Sequence, residues 1–252
     1  NPYSLLLLFK QRRFANYWFE TGTPTFLIKL IKKQNYDVKD IEDLRVNELS
    51  FSSYEVEDLS VLPLLFQTGY LTIKAYDPKR RLYKLYYPNS EVEDSFLKYL
   101  MHEFSAVRKE VTDSYLWRMV DALSEKNFDG FFEVLQVFFA DIPYDIQIRR
   151  EQYYQTVFYL IFKLMGLQVM AEARTSRGRI DAVVELERGT DCPIHFIFEF
   201  KLDGRAEAVL AQIKARGYAA QYRLRGKDVY LIGVGFEMAA RGIADWQVAK
   251  EI

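Results

Sequence analysis

Ile194-His195-Phe196-Ile197-Phe198-Glu199-Phe200-Lys201 is an apolar run that closes on an acid and a base. Side chains alternate faces along a strand, so Phe196, Phe198 and Phe200 share one face while Ile197, Glu199 and Lys201 share the other. Burying either charge alone is costly, so the pair asks for an explanation. The segment before it, Gly178-Arg179-Ile180-Asp181 and then Ala182-Val183-Val184-Glu185-Leu186, brings a second acid to the start of another apolar run. A partly exposed Glu–Lys pair on a strand end is the plain alternative. Asp181 on the neighbouring strand favours a chemical site.

The surrounding residues predict the frame that holds these strands. Glu151–Met165 reads as a long apolar helix ended by Gly166. Leu167–Arg174 and Arg179–Glu187 read as strands about the turn Thr175-Ser176-Arg177-Gly178, and Gly189–Pro193 leads into the strand Ile194–Lys201. A helix over Ala206–Tyr222, a strand over Val229–Gly235 and a last strand over Trp246–Ile252 complete the segment. Three consecutive strands predict a meander, and the helical crossover places the next strand parallel, so a mixed sheet is expected.

Asp181 and Glu199 on adjacent strands suit a divalent cation. Mg²⁺, or Mn²⁺ in its place, takes hard oxygen ligands and keeps several waters, so two carboxylates and the Phe200 backbone carbonyl suffice. Lys201, two positions from Glu199 and on its face, is placed to orient a water or to stabilise developing negative charge. Arg174, Arg177 and Arg179 cluster at one turn, while Lys214 and Arg216, with Arg223, Arg225 and Lys227, gather around the second helix. A solvated face is the default for such runs, but flanking an acidic pocket they suit a phosphate backbone.

The first 145 residues read differently. Residues 1–35 predict helical pieces, with Thr23-Pro24 as a cap before Thr25–Lys33, and no G-x-x-x-x-G-K-[ST] phosphate loop occurs. Helices are expected over Val38–Arg45 and Glu55–Gln67, then a hairpin of Tyr70–Tyr76 and Leu82–Tyr87 about Asp77-Pro78-Lys79-Arg80. Helix, hairpin and capped helix is the order of a winged helix. Its candidate recognition helix lacks Lys and Arg, which argues against direct groove reading. Amphipathic helices follow over Ser90–Phe104, Thr112–Ser124 and Phe128–Phe139, the last capped by Asn127. Asp141-Ile142-Pro143 is the expected domain boundary.

Half of the 252 residues are hydrophobic, enough for a sizeable core, and a net charge of −1 gives no global field for nucleic acid. Cys192 is the sole cysteine, which excludes an internal disulfide and predicts a reducing, cytoplasmic setting. Leu5–Leu8 are too few to span a membrane. His195 is expected to be packed rather than ligating. His102 and Cys192 have no catalytic partner in sequence.

Asp181 followed by Glu199-Phe200-Lys201 resembles the PD-(D/E)XK nuclease superfamily, with Ile180 where that name has proline. The resemblance implies a restriction-endonuclease-like αβββαβ core over residues 146–252, Mg²⁺ at Asp181 and Glu199, and DNA as substrate. It further implies that Glu151 is an auxiliary helix acid and Gln212 a phosphate contact, although Tyr218 is out of step for a Q-x-x-x-Y motif. Arg174 to Asp181, Phe198 to Gly204, Asn1-Pro2-Tyr3-Ser4 and Tyr17 to Pro24 resemble bacterial proteins that join an AAA-type ATPase-like region to such a domain. That likeness implies a C-terminal fragment, an ATP site upstream, and an α+β chain whose residues 1–145 are the helical, winged-helix-like end of the ATPase-like region. A protein partner or self-association through those helices is expected. A catalytically silent interaction module is the alternative.

Overall fold

In the computed structural model, packing separates two units, Asn1–Glu103 and Phe104–Ile252. The structure describes the chain outside residues 1, 14–16, 18–24, 35, 52–59, 144–150, 176–177, 187–193, 218, 220–221, 223–227, 238, 240–241 and 252, with backbone alone at 42–43, 171–175 and 178–180. Among the described residues, no helix is long and apolar enough to cross a membrane.

The first unit holds α1 (Pro2–Gln11), α2 (Thr25–Lys33), α3 (Val61–Gln67) and α4 (Ser90–Ser105), with strands β1 (Arg45–Val46), β2 (Thr72–Asp77) and β3 (Leu82–Tyr86). The strands form an antiparallel sheet in the order β1-β3-β2. Asp77 Oδ1 accepts from the Lys79 and Arg80 amides and fixes the hairpin turn. The expected helix over Val38–Arg45 is instead a 3-10 turn at Val38–Asp43, started by Asp37 accepting from the Lys39 amide. Arg45 leaves it to pair with Lys84 across the sheet. Of the expected helix Glu55–Gln67, the structure forms α3 from Val61, and residues 52–59 lie outside the described ones.

The second unit contains α5 (Lys109–Ser124), α6 (Phe128–Ala140), α7 (Glu151–Leu164), β4 (Gln168–Thr175), β5 (Gly178–Leu186), β6 (Ile194–Leu202), α8 (Ala206–Arg216), β7 (Val229–Glu237) and β8 (Gly242–Glu251). The sheet runs β4-β5-β6-β7-β8, antiparallel except for the β6–β7 pair. This is the mixed αβββαβ arrangement expected from the strand pattern, extended by β8 at the edge. Asn127 caps α6 by accepting from the Gly130 amide. α8 is shorter than its apolar pattern suggests, because Gly217 turns left-handed at φ 61° and ends it.

Asp141-Ile142-Pro143 ends α6, yet the division between the units falls earlier, and α6 packs on the sheet with α5 against it. The aromatic stripe of α6 is the reason. Phe131 meets Phe162 and Phe198, Phe132 stacks on Trp246 at 4.9 Å, and Phe139 meets Phe158 and Phe236. Phe198 and Phe200, on the predicted apolar face of β6, complete this layer against Phe162 and Phe158 of α7. Each such ring removes a large apolar area from water, so α6 cannot leave the sheet without exposing it.

The opposite face is thinner. Val183, Ile197 and Leu231 stand in register across β5, β6 and β7 and pack beneath Ile213 of α8. Gly233 lets the helix come close: a Cβ there would lie 2.6 Å from the Ala206 carbonyl oxygen and 2.8 Å from the Leu210 nitrogen. Asp245 of β8 fixes the helix start, accepting from the Ala206 amide at 3.0 and 3.2 Å where Arg205 supplies no side-chain cap. α8 is thus pinned over β6 and β7, and its side chains overhang the acidic end of β6.

Candidate active site

β5 and β6 pair in register from Leu186↔Ile194 to Ala182↔Phe198, where their pairing stops. The next residues are Asp181 and Glu199. Asp181 Oδ2 accepts from the Phe200 amide at 2.9 Å, so a side chain replaces the backbone rung. The N–H and C=O of a strand residue lie on the same edge. The Phe200 carbonyl therefore faces the same gap as its amide. The sheet opens where the sequence places two acids and a backbone oxygen.

Glu199 is 6% exposed although it lies one residue from the end of the apolar run. Its Oε1 accepts from Gln212 Nε2 at 2.9 Å and lies 3.4 Å from Arg216 Nη1. Gln212 and Arg216 are four residues apart on α8 and so share a face. Glu199 Oε2 is buried and has no hydrogen-bond partner. Burial, and then the negative charges of Asp181 and, more weakly, Glu151, push the Glu199 carboxyl up to about 7 against the pull of Arg216 and Gln212.

The remaining candidates divide. Glu151, in the first turn of α7, accepts from Gln155 at 3.3 Å and acts on Glu199 through its charge. Lys201 is exposed at the end of β6, beside Gly204. Lys214 is exposed and lies about 200° around α8 from both Gln212 and Arg216, away from Glu199. Arg174 and Arg179 are opposed in register across β4 and β5, with only their backbones described. Arg177, Arg223, Arg225, Lys227 and Cys192 lie outside the described residues. His195 is buried, 3.2 Å from Glu185 and against the Tyr222 ring, at the far end of β6 from the split. His102 is exposed on α4.

A hard divalent cation fits this donor set. Glu199 Oε2 is a buried oxygen with no donor, and Asp181 and the Phe200 carbonyl flank it at the split. Among the described residues no three His, Cys, Asp or Glu side chains form a ready-made cage. Mg²⁺ does not need one, because it keeps several waters and is held by one or two carboxylates.

Residues 149–246 match the family model of the PD-(D/E)XK nuclease superfamily. This region belongs to that superfamily. The whole chain is similar to a protein of Azotobacter chroococcum mcd 1 described as an uncharacterized protein in the vnfD 5' region, with 37% identity over 98% of this chain. The chain spans about half (49%) of the length of that relative. Two features around this carboxylate pair are not legible in sequence. In sequence Arg216 belongs to the basic cluster, and only its i+4 spacing from Gln212 points towards Glu199. Asp245 gave no motif at all, because its role as a helix cap depends on β8 closing the sheet.

Proposed function

We propose that residues 146–252 form a Mg²⁺- or Mn²⁺-dependent nuclease domain that hydrolyses phosphodiester bonds of DNA. The observation that carries this proposal is Glu199: a buried carboxylate with one bare oxygen, beside Asp181, at the split between β5 and β6. Membership of residues 149–246 in a nuclease superfamily supports it.

A divalent ion held by Asp181, Glu199 and the Phe200 carbonyl would polarise the scissile phosphate and lower the pKa of an attacking water. Asp181 stays oriented by the Phe200 amide, and Gln212 holds Glu199 Oε1 so that Oε2 faces the ion. Lys201, exposed beside the site, donates a hydrogen bond to the attacking water or to the developing negative charge. Glu151 serves as an auxiliary acid. Arg174, Arg177, Arg179 and Lys214 contact the backbone of the bound strand, which is consistent with base-independent binding.

The domain acts within a longer cytoplasmic protein, attached to an AAA-type ATPase-like region that carries the ATP site. A relative about twice the length of this chain is consistent with the greater length alone, and the ATPase-like region rests on the sequence resemblance. Residues 1–145 supply the winged-helix-like end of that region and the surface for a protein partner or a second copy. Glu199→Ala and Lys201→Ala are each expected to abolish Mg²⁺-dependent DNA cleavage with unchanged circular dichroism. Cleavage at the wild-type rate by both variants contradicts the proposal.

Arg216 favours one alternative, a catalytically silent module in which the guanidinium has taken over the role of the metal. Calorimetric titration with Mg²⁺ or Mn²⁺ separates the two. No binding, or binding that survives Asp181→Asn, favours the silent module.

A further inference from the structure

Leu231, Gly233 and Gly235 alternate along the face of β7 that carries α8, in register with Ile197, Glu199 and Lys201 of β6. Glu199 and Lys201 therefore have as β7 neighbours the two positions of that row that lack a side chain. Main chain of the connection between β6 and α8 fills the space instead. The Ala206 carbonyl lies over Gly233, and a Cβ on Gly235 would overlap the Gly204 carbonyl oxygen and Asp245 Oδ1. Both glycines thus mark a close approach of backbone to the sheet.

The connection is held down at both ends. The Asp203 amide donates to the Phe236 carbonyl at 2.6 Å, and Asp245 accepts from the Ala206 amide. Asp203 takes a left-handed φ of 53°, a conformation that Asp tolerates better than most residues, and there the chain turns back at the end of β6. Gly204 then lies against the stem of Lys201: a Cβ on it would overlap Lys201 Cγ and come within 3.0 Å of Lys201 Cβ. Gly204 does not have a positive φ, so the demand at this position is for space.

Lys201, at the exposed end of β6, is therefore closed in on its β7 side. Its open side is that of β5, where the strands part and Asp181 stands next to Glu199. A lysine stem is long and flexible, and misplacing a reacting group by about 1 Å costs roughly 100-fold in rate. We infer that Gly204 is a positioning residue, which seats the stem of Lys201 and directs its amine towards the split between β5 and β6. This rests on the nuclease reading above, in which Lys201 acts on the attacking water or the developing charge. Glu199 takes its orientation from Gln212 instead, so metal binding and lysine placement are separable.

A double-mutant cycle in the metal-free whole chain, read as denaturation midpoints, tests the seating. Gly204→Ala is expected to lower the midpoint in wild type and to lower it less in the Lys201→Ala background, where the stem is gone. Should Gly204→Ala alone fail to fold, adding Lys201→Ala is expected to restore folding. In cleavage assays Gly204→Ala is expected to lower kcat roughly 100-fold with KM unchanged, and Mn²⁺ titration calorimetry is expected to give the wild-type affinity. Equal midpoint losses in the two backgrounds, or failure of both to fold, overturn the seating. Coupled midpoints with a wild-type kcat in Gly204→Ala overturn the positioning role. Coupled midpoints with no cleavage by wild type overturn the nuclease reading, and with it the role of Lys201, while the packing stands.

Discussion

Gln212 Nε2 donates to Glu199 Oε1 across 2.9 Å, tying helix α8 to the buried carboxylate near the end of β6. The bond fixes the rotation of the carboxylate and leaves its other oxygen bare. Groups that orient a metal ligand in this way typically change affinity or activity by about 10–100-fold when removed. Gln212→Ala is therefore expected to weaken Mn²⁺ binding and slow cleavage within that range while the melting temperature changes little. Unaltered affinity and rate would show that the amide orients nothing.

Glu199 gives the metal-free protein a defined pH dependence. Its carboxyl is raised from 4.5 to about 7, first by burial and then by Asp181. The folded state thus binds more protons than the unfolded state between those values, and stability falls as pH rises through about 7. The loss is on the order of 3 kcal/mol. Melting curves of metal-free wild type should fall across this window, and those of Glu199→Gln should lack that component. Added Mg²⁺ should offset the fall, since it binds the deprotonated carboxylate. Parallel curves for wild type and Glu199→Gln would refute the assignment.

Gly233 is the point at which α8 touches the sheet, and its partner in register on β6 is Glu199. Because any Cβ there meets helix backbone rather than a movable side chain, Gly233→Ala should lift α8. The expected cost is about 1–3 kcal/mol, read as a lower denaturation midpoint. A weaker Mn²⁺ affinity should accompany it, since Gln212 moves with the helix. A midpoint equal to wild type would contradict the close approach.

Asp245 holds the start of the same helix from β8. Asp245→Ala should cost about 1–2 kcal/mol by loss of a cap. Asp245→Asn keeps an acceptor oxygen and should cost less. Equal denaturation midpoints for wild type and Asp245→Ala would mean that the cap contributes nothing.

Much of the nuclease-like core was legible because its strands are buried on both faces and read as continuous apolar runs broken by charge at one end. Asp181 and Glu199 stood out for the same reason. The helix layer was harder. The Phe131–Phe139 stripe marks an apolar helix face, and only the three-dimensional arrangement reveals that it covers β6 and β8. Local patterning shows that a helix has an apolar face, but not which sheet it meets. The nearness of Arg216 to Glu199 is hidden for a related reason: a basic run has a solvated default, and one member turned towards a buried acid leaves no mark in composition.

The most direct test of the metal site is anomalous diffraction from crystals of the protein soaked in Mn²⁺. A peak at roughly 2 Å from Glu199 Oε2, the distance typical of small divalent cations, with Asp181 and the Phe200 carbonyl in its shell, is the predicted result. The absence of Mn²⁺ density between Asp181 and Glu199, with ions bound only elsewhere on the chain, would contradict it.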